Sequence, residues 1–234
     1  MTDPLEIARR ESSVLRISVR TAAIMLAFTV IFTALMAGTY KLTAPMVAAS
    51  ALAEKLRLIG EVLPPAIHDN DLMADAITLA PQAALSLDDD TRLWRARKAG
   101  QPVGLVFEAA ARDGYSGRIG LIVAVGADAR LLALRVTVHK ETPGLGDYID
   151  PKKDRNKTRP WITQFNGLGL SEVPRDKWRV KKDGGHFDQA AGATVSARAV
   201  TNASGRALAW ATENRDRLFA LPANARFEPQ GGKP

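Results

Sequence analysis

The sequence predicts an α+β protein: one N-terminal transmembrane helix, then an extracytoplasmic domain in which helices pack on an antiparallel sheet. Three observations carry this reading. Thr21 to Tyr40 is a run of 20 residues without a charge, long enough to cross a bilayer as a helix. Ile119, Leu121, Val123 and Val125 alternate with small or polar residues, and Leu132, Leu134, Val136 and Val138 do the same beyond the turn Gly126-Ala127-Asp128-Ala129-Arg130. Period two on both sides of a turn is a β-hairpin. From about Val195 to Phe219, small and apolar residues recur at helical spacing, with Ala199, Val200, Ala203, Ala207, Leu208 and Ala211 marking a face to be buried.

Taken in order, residues 1–15 are polar and read as a cytoplasmic tail, and 16–42 as the anchor. Arg9, Arg10, Arg16 and Arg20 precede the apolar run, whereas Lys41 is the one basic residue in the 14 positions after it. The positive-inside rule then leaves the N-terminus in the cytoplasm. A cleaved signal peptide is the competing reading, but the run exceeds a usual apolar core of about 7 to 15 residues, and Ala49-Ser50-Ala51 lies far downstream for cleavage. Residues 43–65 read as a connecting segment: Pro45 interrupts, Val47 to Ile59 forms a short amphipathic helix, and Pro64-Pro65 ends it.

The main domain is assigned to 66–220, with 221–234 as a flexible tail. His68 to Asp90 reads as short strands and loops, period two begins at Leu93, and Val103 to Ala109 pairs beside the hairpin. Connections this short leave no room for a crossover helix, so the strands are expected to be antiparallel. Residues 141–190, rich in Gly and Pro, read as a folded loop region with short helical pieces, and a loop that long is often functional.

The 234 residues, 46% hydrophobic, suffice for one core plus the anchor. There is no cysteine, so disulfides, thiolate metal sites and iron-sulfur clusters are excluded, and redox chemistry needs a borrowed cofactor. His68, His139 and His186 lack metal-ligand spacing, and no protein-bound metal is expected. The formal charge of +7 would suit nucleic acid, but a domain outside the cytoplasm does not meet it. Neither Gly144-Leu145-Gly146 nor Gly167-Leu168-Gly169 completes a dinucleotide fingerprint, because Ile149 and Glu172 stand at the third glycine positions.

Two motifs carry chemistry. Asp188-Gln189-Ala190-Ala191-Gly192-Ala193-Thr194-Val195-Ser196 runs straight into the last helix, placing a threonine hydroxyl where unpaired backbone N–H groups and the helix dipole favour a phosphate. Glu141-Thr142-Pro143-Gly144-Leu145-Gly146 follows a strand and specifies a tight turn that a planar ligand can approach closely. Each has a simpler reading: Thr194 as an ordinary helix cap, the second motif as a strand-ending turn, and Glu141 as one half of a salt bridge with a neighbour such as Lys140.

With Asp188 six residues before Thr194 and His139-Lys140-Glu141-Thr142-Pro143-Gly144-Leu145-Gly146 upstream, the chain resembles the FMN-binding domain family over about residues 16 to 215. Within it the chain looks most like the G subunits of Rnf electron-transport complexes, and it is also similar to the C subunits of sodium-translocating NADH:quinone reductases. One departure is Ala191, where that family usually has Ser or Thr. The resemblance implies FMN bound covalently to Thr194 through a phosphoester and attached by a flavin transferase that reads Asp188 and Gly192. It also implies that Thr142 and the Gly144–Gly146 backbone lie against the flavin, with Leu145 on the ring, and that Ala193, Ser196 and Glu141 belong to the same site.

No residue of this chain is then catalytic. The expectation is an electron-relay subunit in the cell inner membrane, single-pass with its main domain periplasmic, beside Rnf A, B, C, D and E type partners in a complex that moves electrons between NADH and ferredoxin and translocates ions. A quinone-reductase subunit, or a non-redox tethered module with Thr194 as a mere cap, stays open. The basic runs 151–159 and 175–182 read as solvated loops or as docking surfaces for acidic partners or lipid head groups.

Overall fold

The structure, a computed structural model, describes residues 4–229. It divides into two compact units, residues 1–54 and 55–234. The first helix, α1 (Pro4–Val62), runs through the apolar segment. Within the first unit its side chains from Ile17 to Thr43 are exposed all round, including Leu26, Phe28, Phe32, Leu35 and Met36, as expected of a helix whose partner is lipid. It contains one stretch long and apolar enough to cross a membrane. The hydroxyls of Thr29, Thr39 and Thr43 donate to the carbonyls of Met25, Leu35 and Thr39, each at 2.9 Å, so these polar groups are satisfied inside the helix.

Pro45 does not interrupt α1, contrary to the sequence expectation. A proline deletes a single i→i−4 bond, and a helix already propagated over many turns on both sides tolerates that loss. The connecting helix is therefore the continuation of α1, which does stop before Pro64-Pro65.

The second unit is built on a six-stranded sheet of order β5-β4-β3-β2-β1-β6, comprising β1 (Ala76–Leu79), β2 (Thr91–Lys98), β3 (Gln101–Gly114), β4 (Gly117–Gly126), β5 (Leu131–Val138) and β6 (Arg226–Phe227). The β4–β5 hairpin forms at the alternating segments, with Val123 opposite Leu134. β3 pairs beside it, Phe107 opposite Val123, and runs on to Gly114. β1 to β5 are antiparallel. β6 is not: it pairs parallel to β1, Leu79 opposite Phe227. The tail expected at 221–234 is thus ordered at Arg226–Phe227, while 230–234 lie outside the described residues. Two residues are too few to display a period, so the sequence held no sign of β6.

Alternation sends the two faces of the sheet into two cores. Leu105, Phe107, Ile119, Leu121 and Val123 face α2 (Thr194–Ala220), whose Ala199, Val200, Ala203, Ala207, Leu208 and Ala211 are buried as expected. Phe107 meets Trp210 with ring centroids 5.2 Å apart. On the opposite face Val106, Ile122 and Ala124 pack with Leu58, Ile59, Val62 and Leu63 from the end of α1 and just beyond it, and Arg135 pairs with Glu61 at 3.0 Å.

Arg95, 1% exposed, stands in the middle of β2. It pairs with Asp75 and donates to the Leu218 carbonyl at 3.0 Å and the Leu221 carbonyl at 2.5 Å. A buried cation is tolerated only when paired and fully hydrogen-bonded; here it also satisfies carbonyls left open at the end of α2.

Residues 141–190 fold as the expected loop region, with 3-10 turns at Gly146–Ile149, Trp161–Phe165, Arg175–Lys177 and Lys181–Asp183. Phe165, Phe187 and Trp178 form its internal core, with centroids 4.6 and 4.9 Å apart in succession. Trp178 Nε1 donates to Ser204 Oγ at 3.0 Å, which fastens the loop to α2.

Candidate functional site

The turn after β5 is closed by the amides of Leu145 and Gly146, both donating to the Thr142 carbonyl at 3.1 Å. Gly144 sits at φ +76°, and its amide donates to Asp147 Oδ1 at 2.9 Å. Gly146 is required for space: a Cβ there would lie 2.5 Å from Ser196 Oγ and 2.9 Å from Glu141 Oε2.

Those two groups form the internal tie of the site. Glu141 is 4% exposed and Ser196 1%. Ser196 Oγ donates to Glu141 Oε2, and the Ser116 amide donates to Oε1 at 3.1 Å. One carboxylate thereby joins the β3–β4 turn, the 141–146 loop and the first turn of α2. Glu141 makes no ion pair among the described residues, so the pairing considered with Lys140 does not occur. A buried carboxylate without a cation depends on its hydrogen bonds.

Thr194 is the first residue of α2. The cap position belongs to Ala193, which has no side-chain oxygen to offer, and Gly192 before it takes φ +82°. The half-buried Thr194 hydroxyl has no hydrogen-bond partner among the described residues. The reading of Thr194 as an ordinary cap is therefore not what the geometry shows: a capping hydroxyl would be engaged with the N2 or N3 amide.

Two cavities flank this helix start and share Leu145 and Ala193. The smaller, about 300 Å³, is lined by Tyr115, Glu141, Thr142, Leu145, Gly146, Gly192, Ala193, Val195 and Ser196. It gathers seven of the ten residues singled out from the sequence. Leu145 and Val195 remain 55% and 39% exposed and Tyr115 71%, an apolar rim around a buried polar floor. The larger, about 490 Å³, has Gly144 and Asp188 on its wall, together with Tyr148, Trp161 and a basic edge. Thr194 lines neither cavity and stands beside Ala193, which lines both.

Asp188 is exposed. Its carboxylate pairs with Lys181 at 2.6 Å, its carbonyl accepts from Trp161 Nε1 at 2.6 Å, and its amide donates to Gln164 Oε1 at 2.8 Å. The backbone of the 188–193 segment is thereby pinned while the carboxylate stays at the surface.

Sequence reasoning missed Tyr148, Tyr115 and Val195. The Tyr148 hydroxyl accepts from the Ala190 amide at 3.0 Å and donates to the Ala193 carbonyl at 3.4 Å, bracing the segment that leads into α2. Burial pushes this hydroxyl above its ordinary pKa; the Ala190 hydrogen bond opposes the shift and the charge of Asp154 adds to it. No local pattern marks these residues. The one available hint was that Tyr148 follows Gly146 by two positions.

Comparison with known proteins places these features in context. Residues 114–209 match the family described as FMN-binding domain, and residues 13–62 match the one described as RnfG N-terminal region. The G subunit of the ion-translocating oxidoreductase complex of Pseudomonas aeruginosa is 41% identical over 206 residues, covering 88% of this chain and 94% of that protein. Its counterpart in Shewanella baltica is 36% identical over 206 residues, covering 88% and 95%. The counterpart in Vibrio cholerae is 36% identical over 203 residues, covering 87% and 94%.

Proposed function

We propose that this chain, which belongs to the family of ion-translocating oxidoreductase complex G subunits, relays electrons within a membrane-bound complex of that kind through FMN held covalently on Thr194 by a phosphoester. The observation that carries the attachment is the Thr194 hydroxyl: it is without a partner among the described residues, it stands at the first turn of a long helix, and the capping position is already filled by Ala193. A phosphate there meets unpaired amides and the positive end of the helix dipole, worth about 0.3–1 kcal/mol.

The residues present suit a flavin. Gly146 lets the 141–146 turn lie directly against Ser196 and Glu141, and Leu145, Val195 and Tyr115 offer apolar surface to a planar ring. Ser196 and Glu141 hold the two walls of the cavity together. When bound, FMN supplies one- and two-electron chemistry that no side chain of this cysteine-free chain provides. The chain's own part is to bind, orient and retain the cofactor; Thr194 is an anchor. Asp188 and Gly192, exposed ahead of it, are accessible to a flavin transferase.

A subunit with one flavin needs partners on both sides of the transfer. In this reading they are the A, B, C, D and E type subunits, with NADH and ferredoxin at the ends of the path. The candidate membrane helix anchors the chain once in the inner membrane, with the Arg-rich N-terminus in the cytoplasm and the flavin domain in the periplasm.

The test is flavin fluorescence of the denatured chain, purified from its native host, on a gel. A bright band that Thr194→Ala abolishes supports the reading, and intact mass should show one FMN. A wild-type chain without that mass overturns the attachment.

A further inference from the structure

The second basic run, 175–182, folds against the middle of α2 and leaves a cleft of about 450 Å³ beside the helix. Its lining shares no residue with the two cavities at the helix start. Asn202, Gly205 and Arg206 lie eight to twelve residues beyond Thr194, about 12–18 Å along the helix. One wall of the cleft is rigid. Trp178, 3% exposed, lies so close to α2 that a Cβ on Gly205 would sit 2.5 Å from its Cδ1, and the hydrogen bond to Ser204 fixes its ring.

Three guanidinium groups border the cleft, those of Arg175, Arg179 and Arg206, against one carboxylate, that of Asp183. That carboxylate is already taken, because Arg198, off the lining, donates to both of its oxygens at 2.5 and 2.8 Å. The Arg198 hydrogen bond, with the charges of Arg198, Lys182 and Arg179 added to it, holds the Asp183 carboxyl below its ordinary range. Other acids nearby do not balance the arginines. Glu213 stands 3.8 Å from Arg175, an exposed pair beyond hydrogen-bond distance, and Asp113 acts on Arg198 from off the lining. Arg179 makes no side-chain hydrogen bond or ion pair among the described residues. Arg206 makes one long bond, to the Ala110 carbonyl at 3.5 Å, and the half-buried Asn202 adds an amide without a partner among the described residues.

We propose that this cleft is a second binding site, separate from the flavin, for a dianionic phosphate group carried by a soluble phosphate compound or by a phospholipid head group. Three arginines against one carboxylate leave two positive charges on the lining, which a phosphate dianion neutralises and a lone carboxylate does not. Guanidinium forks match phosphate oxygens with paired donors. The groups are exposed, so their attraction is screened by salt.

The test is equilibrium dialysis of radiolabelled inorganic phosphate against the full-length protein from its native host, in detergent. Saturable binding at one site is expected at low salt. It should weaken at least tenfold at about 1 M salt, where the screening length falls to about 3 Å, and in the Arg175→Gln/Arg179→Gln/Arg206→Gln variant. Lys153→Gln/Arg155→Gln/Arg159→Gln, at the other basic run, should bind as wild type does. Arg179→Gln alone removes no hydrogen bond of the fold, so its expected loss of at least threefold stands even if the triple variant misfolds. Competition by glycerol 3-phosphate supports the site and assigns it to a soluble compound; competition by phosphatidic acid in phosphatidylcholine nanodiscs alone supports it and assigns a lipid head group. No saturable binding, full affinity in Arg179→Gln, or equal competition by acetate at matched ionic strength overturns the site, whether or not Thr194 carries flavin.

Discussion

Replacing Gly146 with alanine adds one methyl group at the tightest point of the site. The new Cβ would lie 2.5 Å from Ser196 Oγ and 2.9 Å from Glu141 Oε2, and neither neighbour is free to retreat. Ser196 is fixed in the first turn of α2, and Glu141 is held by the Ser116 amide. Overpacking of this kind costs about 1–3 kcal/mol. Displacing the Ser196–Glu141 hydrogen bond instead costs about 1.5–3 kcal/mol. The two routes span a loss of about 1–3 kcal/mol, which at roughly 2–4 °C per kcal/mol lowers the melting temperature by about 2–12 °C. Gly144→Ala is the control, since its Cβ meets nothing within 4 Å and only the φ of +76° is strained; that strain costs about 1–2 kcal/mol. Tryptophan-fluorescence melts of the full chain in detergent, with FMN occupancy read from absorbance, measure both. The reasoning fails if Gly146→Ala melts no lower than Gly144→Ala and keeps full occupancy.

Three further outcomes are expected. Thr194→Ala should abolish in-gel flavin fluorescence, and against flavin-free wild type it should shift unfolding by less than about 0.5 kcal/mol, because the bare hydroxyl makes no hydrogen bond to lose; Thr194→Ser should retain the band. Arg95→Leu should destabilise by at least about 2 kcal/mol, seen as a lower denaturant midpoint, since it leaves the carbonyls of Leu218 and Leu221 without this donor and Asp75 with Arg97 as its remaining ion-pair partner; an unchanged midpoint would refute the role given to that cluster. The raised pKa of Tyr148 means that the folded state holds this proton more tightly than the unfolded chain does. Its contribution is therefore complete below the unfolded value of about 10 and is lost as pH climbs through the folded value. Stability measured across pH 9 to 11.5 should fall more steeply in wild type than in Tyr148→Phe, and parallel curves would contradict this.

What could be read from the sequence was whatever repeats locally. The β4–β5 hairpin announced itself through alternation, α2 through its small-residue face, and the turns at 141–146 and 188–194 through glycines whose backbone positions are demanding. What stayed hidden depends on partners distant in the chain. Arg95 looks like an outward polar residue of a strand, and only Leu218 and Leu221, more than 120 positions later, explain its burial. Glu141 and Ser196 lie 55 residues apart, so their contact was invisible and a local ion pair was the simpler guess. Pro45 misled for the opposite reason: its local rule is sound, but a single missing bond does not outweigh a long apolar helix. The sequence singles out Thr194, but only the fold reveals that Ala193 takes the cap.

The short β6 strand also has a protective consequence. The Ala225 and Phe227 carbonyls accept from the amides of Thr78 and Ala80, and the Asn224 amide donates to the Ala76 carbonyl. These are the groups through which the outer side of β1 would otherwise recruit a strand from another molecule. Trimming the chain back to the end of α2 would leave that border open to self-association, so those few residues guard solubility as well as order.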